Sequence, residues 1–365
     1  MHNGGREYMR RIRTSELVPG MITAEDVFNY NGQMILPKGL TLTDKAITRL
    51  EFYSILSVRV KDSSITGMNI EEDTRTHAER IRESEEFKKF HESFDENLAS
   101  FKDSINDIVD MNANIDTDAM LTNTLAILSE ATSSYHAFDM LHNMRQYDDL
   151  TFAHSMNVAL ICNIFAQWLK WPEKEQNLLT LCGLLHDIGK LKIPDTIIKK
   201  PDRLTDDEYK VIKTHTVEGF HILKSKNINT HIMNAALMHH EKCDGTGYPL
   251  GIQADKIDRY AKAVAIADVY DAMTSARIYR GPMCPFRVIE IFEAEGLQKY
   301  DPEYILIFLE NIVNTYLHND VLLSNKETAT IVFINKQQLS KPVVKQGDKF
   351  IDLSKELDLH IDAIL

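Results

Sequence analysis

Cysteine is scarce in this chain: Cys162, Cys182, Cys243 and Cys284 are its four, and no two form a CxxC pair. They are expected to be buried fillers, as suits a reducing cytoplasm. Long apolar runs are missing as well. No stretch approaches the roughly twenty residues that span a bilayer, and the start MHNGGREYMRRIR lacks the apolar centre of a signal peptide. A cytoplasmic protein without membrane contact is the expectation. Positive charge is in deficit, 41 Lys and Arg against 54 Asp and Glu, for a formal net charge of -13. That balance argues against a polymeric nucleic acid held on a broad basic surface. A small dianionic ligand is still compatible, because it needs only local cations.

What is present is an ordinary hydrophobic fraction, 44%, in 365 residues, enough for a substantial core with accessory modules. Residues 1–62 read as a small β-rich module. In it Asn31-Gly32 separates two strand-like runs, and both residues tolerate positive φ, which favours a hairpin. Thr43 follows as cap of a helix whose Ala46, Ile47 and Leu50 share a face. Residues 63–120 are highly charged, with Phe94, Leu98, Phe101, Ile105 and Ile108 at helical spacing. Such a stripe must pack on something, either a second copy of the chain or the helices that follow.

Residues 121–320 carry helical periodicity almost throughout. Helices are expected over 121–131, 142–168, 173–186, 206–223, 231–241, 260–276, 285–295 and 302–318, with Thr205 and Glu208 as a capping box. From Val321 the pattern alternates as short strands do, predicting a β appendage over 321–365. The fold class is therefore mainly α: a helical bundle between a small β-rich N-terminal module and a short β C-terminal appendage.

Within the helical region a ladder of motifs stands out: His154, then His186-Asp187 in HDIGK, His215, His239-His240 in HHEKCDGTGYP, and Asp268 in ADVYDAMTSARIYR, with His221 as a bystander. Imidazole and carboxylate together suit divalent Fe, Mn or Zn. Neighbours such as His186 and Asp187 at a helix end point about a hundred degrees apart, so one can bind an ion while the other reaches between two. Any one of these histidines alone would read as a core or surface residue. The set changes that reading.

The segments HDIGKLKIPDTIIKKPDRLTDDEYKVIKTH, HHEKCDGTGYP and ADVYDAMTSARIYR, in this order, resemble the HD-GYP domains, bacterial cyclic di-GMP phosphodiesterases within the HD metal-dependent phosphohydrolases. The resemblance covers about 190 residues, the size of one domain. It implies an HD-type bundle that holds two divalent metal ions, Fe or Mn preferred. His154, His186 and Asp268 would serve one ion, His215, His239 and His240 the other, and Asp187 would bridge. It further implies hydrolysis of cyclic di-GMP to pGpG, and onward to GMP, by attack of a metal-bridging hydroxide. Another cyclic dinucleotide, such as cyclic GMP-AMP, or a low-turnover receptor or adaptor are the alternatives.

Lys190 is expected to aid catalysis by placing a cation beside the developing charge or protonating the leaving group. Tyr248, Arg277, Arg280 and Asp271 make up the substrate-side set. The arginines resemble a phosphate-contacting pair. Asp271, one turn from Asp268, also suits the support of a ligand. Asp244 as a mere cap of its turn is the plainer reading of the GYP loop.

This sequence departs from the family's usual pattern at Asp258 and Lys262, where proline and arginine are common. Leu150 stands where some three-metal members place a glutamate, and leucine cannot ligate, so two metals are expected. The accessory regions are expected to regulate, to pair two copies, or to dock a signalling protein.

Overall fold

A computed structural model describes residues 9–14, 17–28, 34–52, 55, 57–61, 77–110, 113–144, 150–200, 202–275, 283–356 and 358–365. Its N-terminal part contains β1 (Met9–Arg13), β2 (Val27–Phe28), β3 (Met34–Leu36), α1 (Asp44–Phe52) and β4 (Ser57–Lys61). β1 pairs antiparallel with β4, and β2 with β3. The strands on either side of the expected hairpin thus pair, while Asn31 and Gly32 lie outside the described residues. Thr43 caps α1 by accepting from the Ala46 amide at 3.3 Å. Ala46 and Leu50 then face Ile12, Leu36, Val58 and Val60 in a small core of their own.

Helices follow in order: α2 (His77–Glu83), α3 (Glu85–Asp110), α4 (Thr117–Leu128), α5 (Ser134–Asn143), α6 (Leu150–Trp168), α7 (Glu173–Leu185), α8 (Asp195–Ile198), α9 (Asp206–Lys213), α10 (His215–Ser225), α11 (Thr230–Met238), α12 (Arg259–Thr274), α13 (Pro285–Ile291), α14 (Leu297–Lys299) and α15 (Pro302–Thr315). Where one helix was expected over 142–168, the chain forms α5 and α6. Ser133 starts the first by accepting from the His136 amide, a cap hidden in sequence by the Thr132-Ser133-Ser134 run. The expected helix 206–223 is parted at Thr214, so His215 opens α10. The capping box of Thr205 and Glu208 is formed.

The stripe of α3 is covered within the chain. Phe90 and Phe94 are fully buried, and Phe101, Ile105 and Ile108 nearly so, packed with α4 and α6 in the core of the bundle. Of the two expected covers, helices of the same chain are the one observed. The same core continues into a five-stranded antiparallel sheet of β5 (Asp320–Leu323), β6 (Thr328–Phe333), β7 (Val343–Gln346), β8 (Lys349–Asp352) and β9 (Ile361–Ile364), ordered β8-β7-β6-β5-β9. The closing DLHIDAIL stretch supplies β9, which pairs with β5. Cys162 and Cys182 are buried as expected, but Cys243 and Cys284 are only half-buried. Among the described residues no helix is long and apolar enough to cross a membrane.

Because the α3 stripe belongs to the chain's own core, Phe94→Ala should cost about 3–5 kcal/mol of stability, the usual penalty for emptying a buried aromatic site. Urea unfolding would measure the loss. Light scattering should show an unchanged molecular mass.

Candidate metal centre

Five helices and the turns that follow two of them deliver the motif side chains to one buried point. His154 comes from the first turns of α6. His186 closes α7, and Asp187 precedes a 3-10 turn over Ile188–Lys192. His215 begins α10, His239 ends α11, and Asp268 lies within α12. Gly189 permits this closeness: a Cβ there would come within 1.9 Å of the His215 carbonyl oxygen and 2.4 Å of the Gly219 nitrogen. Only glycine lets the HDIGK turn lie against α10.

His186, Asp187, His215, His239 and Asp268 are almost wholly buried. Asp187 divides its oxygens between two groups. Its Oδ2 lies 3.2 Å from His186 Nε2 and 3.7 Å from His154 Nε2. Its Oδ1 lies 3.4 Å from His215 Nε2 and 3.7 Å from His239 Nε2. Asp268 Oδ1 is 3.0 Å from His154 Nε2, while its Oδ2 is 3.8 Å from His240 Nδ1. Ligand atoms of His154, His186 and Asp268 cluster within 4.8 Å of one another, as do those of His215, His239 and His240.

The tautomers show what such a cluster requires. His186 Nδ1 lies 2.7 Å from the Gly183 carbonyl, His215 Nδ1 2.7 Å from Ile212 O, and His239 Nδ1 3.0 Å from Ala235 O. A carbonyl only accepts, so each Nδ1 carries the hydrogen and each Nε2 presents a lone pair. His154 Nδ1 is fixed in the same way by Asp271 Oδ2 at 2.7 Å. These lone pairs point at carboxylate oxygens and, for His215 and His239, at each other across 3.3 Å. Acceptor facing acceptor is repulsive unless a cation lies between them. His186 Nε2 and Asp187 Oδ1 indeed have no hydrogen-bond partner among the described residues, although both are buried. The donor set fits divalent metal, and the backbone and Asp271 bonds orient the imidazoles as metal ligands are usually oriented.

The electrostatics agree. Burial opposes the charged form of Asp187, but the neighbouring His186, Lys190 and His215 outweigh it and hold the carboxyl well below its usual range. Asp268 is likewise low, burial being overcome by His154 and His240. Burial, reinforced by the adjacent imidazoles, lowers His239 strongly, and burial brings His240 down to about 3, so both are neutral ligands at ordinary pH. For His154 burial acts downward too, yet its bonds to Asp268 and Asp271 raise it to about 9. A proton therefore competes with metal at this nitrogen.

Lys190 Nζ donates to Asp187 Oδ2 at 2.5 Å, at the edge of the cluster. Tyr248 stacks on His240, the ring centroids 4.7 Å apart. Asp271 is 1% exposed, and its Oδ2 lies 2.7 Å from His154 Nδ1. Arg277 and Arg280 lie outside the described residues, as do Asp148, Asp149 and the side chain of Leu150. His221 is exposed, as a bystander should be. The two departures have local partners: Asp258 caps α12 and accepts from His231, and Lys262 pairs with Asp301 at 3.1 Å.

One residue of the motif went unread in the sequence. Glu241, 2% exposed, accepts from the amides of Leu250, Gly251 and Ile252 at 2.6, 3.2 and 3.2 Å, tying down the far end of the GYP loop. Asp244 caps the near end by accepting from the Thr246 amide and hydroxyl. Gly247 lets the loop pass within 2.4 Å of Glu241 Cα, measured from where a Cβ would stand. The only sequence signal for Glu241 was its place after the histidine pair.

Residues 138–304 match the protein family described as HD domain. A cyclic di-GMP phosphodiesterase of Pseudomonas aeruginosa is 34% identical over 173 residues, 47% of this chain and 42% of that protein. A 3′3′-cGAMP-specific phosphodiesterase of Vibrio cholerae is 41% identical over 145 residues, 40% of this chain and 34% of that one. A cyclic di-GMP phosphodiesterase of Thermotoga maritima is 34% identical over 179 residues, 48% and 49% of the two chains. The chain thus spans less than half the length of each of these relatives.

Gly189→Ala should force the HDIGK turn off α10 and dislodge His215. Elemental analysis after reconstitution with Mn is expected to show marked loss of bound metal, with a lowered unfolding midpoint. Glu241→Ala should keep its metal but loosen the loop, seen as faster hydrogen exchange at Leu250–Ile252.

Proposed function

We propose that this chain, whose residues 138–304 form an HD domain, is a metal-dependent phosphodiesterase of cyclic dinucleotides, with cyclic di-GMP cut to pGpG as its first reaction. The observation that carries the reading is the convergence of four imidazole lone pairs on two buried carboxylates. Asp187 faces a histidine group with each oxygen, which supports a site for two ions bridged by that residue, Fe or Mn by the chemistry of the donors. Divalent ions held by these residues would supply a Lewis acid for water activation and for neutralising phosphoryl charge.

The chain's own groups act around that centre. Asp271 keeps the His154 ring turned so that Nε2 faces inward, and the carbonyls of Gly183, Ile212 and Ala235 do the same for their histidines. Lys190, anchored on Asp187, sits where its ammonium can give a proton to the departing 3′ oxygen. Tyr248 lies between the cluster and the substrate side, held there by the loop that Glu241 ties. Arg277 and Arg280 are assigned to the phosphates, through their planar donors.

A second reading keeps the chemistry and changes the substrate to cyclic GMP-AMP, with which the 41% identity to the cGAMP-specific relative is compatible. A low-turnover receptor is disfavoured by the complete ligand set with its lysine. The β-rich N-terminal module, the charged helical segment and the C-terminal sheet are assigned regulatory or partner-docking roles.

The reconstituted protein should hold two Mn or Fe per chain and convert cyclic di-GMP to pGpG, with cyclic GMP-AMP and cyclic di-AMP assayed beside it. Asp187→Ala should lose both metal and hydrolysis, and full metal occupancy in that variant would contradict the bridging role. Arg277→Ala and Arg280→Ala should keep the metal while each costs about 1.5–3 kcal/mol of binding, as expected for a lost charged hydrogen bond. Lys190→Ala should lower kcat more than it raises KM.

A further inference from the structure

Tyr209 and Lys213 lie four residues apart on α9, so both project from one face of that helix. α9 is firmly mounted. Its capping box closes the N-terminus, and the Glu208 carboxylate also takes Lys200 Nζ at 2.7 and 2.8 Å. The helix ends two residues before His215 of the metal cluster.

The Lys213 ammonium stands 5.2 Å from the centre of the Tyr209 ring and 5.7 Å from that of Tyr248, which stacks on His240. A row of rings therefore leads outward from the cluster: His240, Tyr248, then Tyr209, with an ammonium between the last two. Tyr209 is 47% exposed despite its size. Lys200 and Lys210 are each paired with a carboxylate on α9, whereas Lys213 has none among the described residues. An aromatic face on a rigid helix and a lysine without a carboxylate, both beside a phosphodiester-cleaving centre, have the makings of a nucleobase site.

We propose that Tyr209 and Lys213 form a guanine subsite of the candidate centre. Resting on the cyclic-dinucleotide reading, it deepens that reading by naming what selects the base. The Tyr209 ring takes the face of the base. Lys213, which has donors and no acceptor, meets the O6 and N7 acceptors of guanine, whereas adenine puts the N6 amino donor in place of O6. The lysine so positioned discriminates guanine from adenine, and Tyr209 supplies affinity for either.

Calorimetric titration of the metal-loaded full chain with GMP and with AMP tests this without turnover. The parent should bind GMP more tightly than AMP. Tyr209→Ala should weaken GMP about tenfold, as loss of one stacked base implies, while Tyr209→Phe restores binding to about the parent level, since it keeps the ring. Lys213→Met should remove the preference for GMP, and metal content should be unchanged in all three variants. A parent that binds GMP no better than AMP, or a Tyr209→Ala protein that binds GMP as well as the parent, overturns the subsite. Absence of cyclic dinucleotide hydrolysis alongside Tyr209-dependent GMP binding would instead sink the phosphodiesterase reading and leave the subsite standing.

Discussion

The structure depends on a buried conflict that a cation resolves. Four imidazoles, each with its Nδ1 hydrogen committed elsewhere, turn lone pairs toward the oxygens of Asp187 and Asp268 and, across 3.3 Å, toward one another. Without positive charge between them this arrangement is repulsive in a low-dielectric interior, where electrostatic terms are least screened. The fold accepts it because the backbone holds the rings from behind. Gly183, Ile212 and Ala235 offer carbonyls in the last turns of their helices, and each meets an imidazole Nδ1.

Holding those helix ends together is a packing problem, and the chain solves it with small residues. Gly189 brings the HDIGK turn onto α10, and Gly247 brings the loop of the GYP motif onto Glu241. Around them the core is continuous from α3 to the C-terminal sheet, so the segments that flank the centre in sequence also brace it. The N-terminal module, by contrast, has its own small core.

On the outer side the chemistry changes from ligation to recognition. Tyr248 is the hinge between the two, stacked on His240 within and facing Lys213 and Tyr209 without. Glu241 and Asp244 hold its loop from both ends. In a chain whose formal net charge is -13, cations beside such a centre matter individually. Lys190 is bonded to Asp187, and Lys213 lies over the Tyr248 ring.

The sequence by itself determined much of this. Helical periodicity marked the bundle, alternation marked the final sheet, and the motif ladder from His154 to Asp268, read through its family resemblance, picked out imidazoles and carboxylates that the fold brings together. It missed or left open what local signals cannot carry. The start of α5 depends on a cap within a run of similar hydroxyl residues. The cover over the α3 stripe depends on which neighbour the folded chain provides. Tertiary structure alone decided which oxygen of Asp187 faces which histidines, that Asp271 supports His154, and that Glu241 ties a loop. Each of these is a relation between groups brought together by packing, and residue type fixes what a side chain can do but not what it will meet.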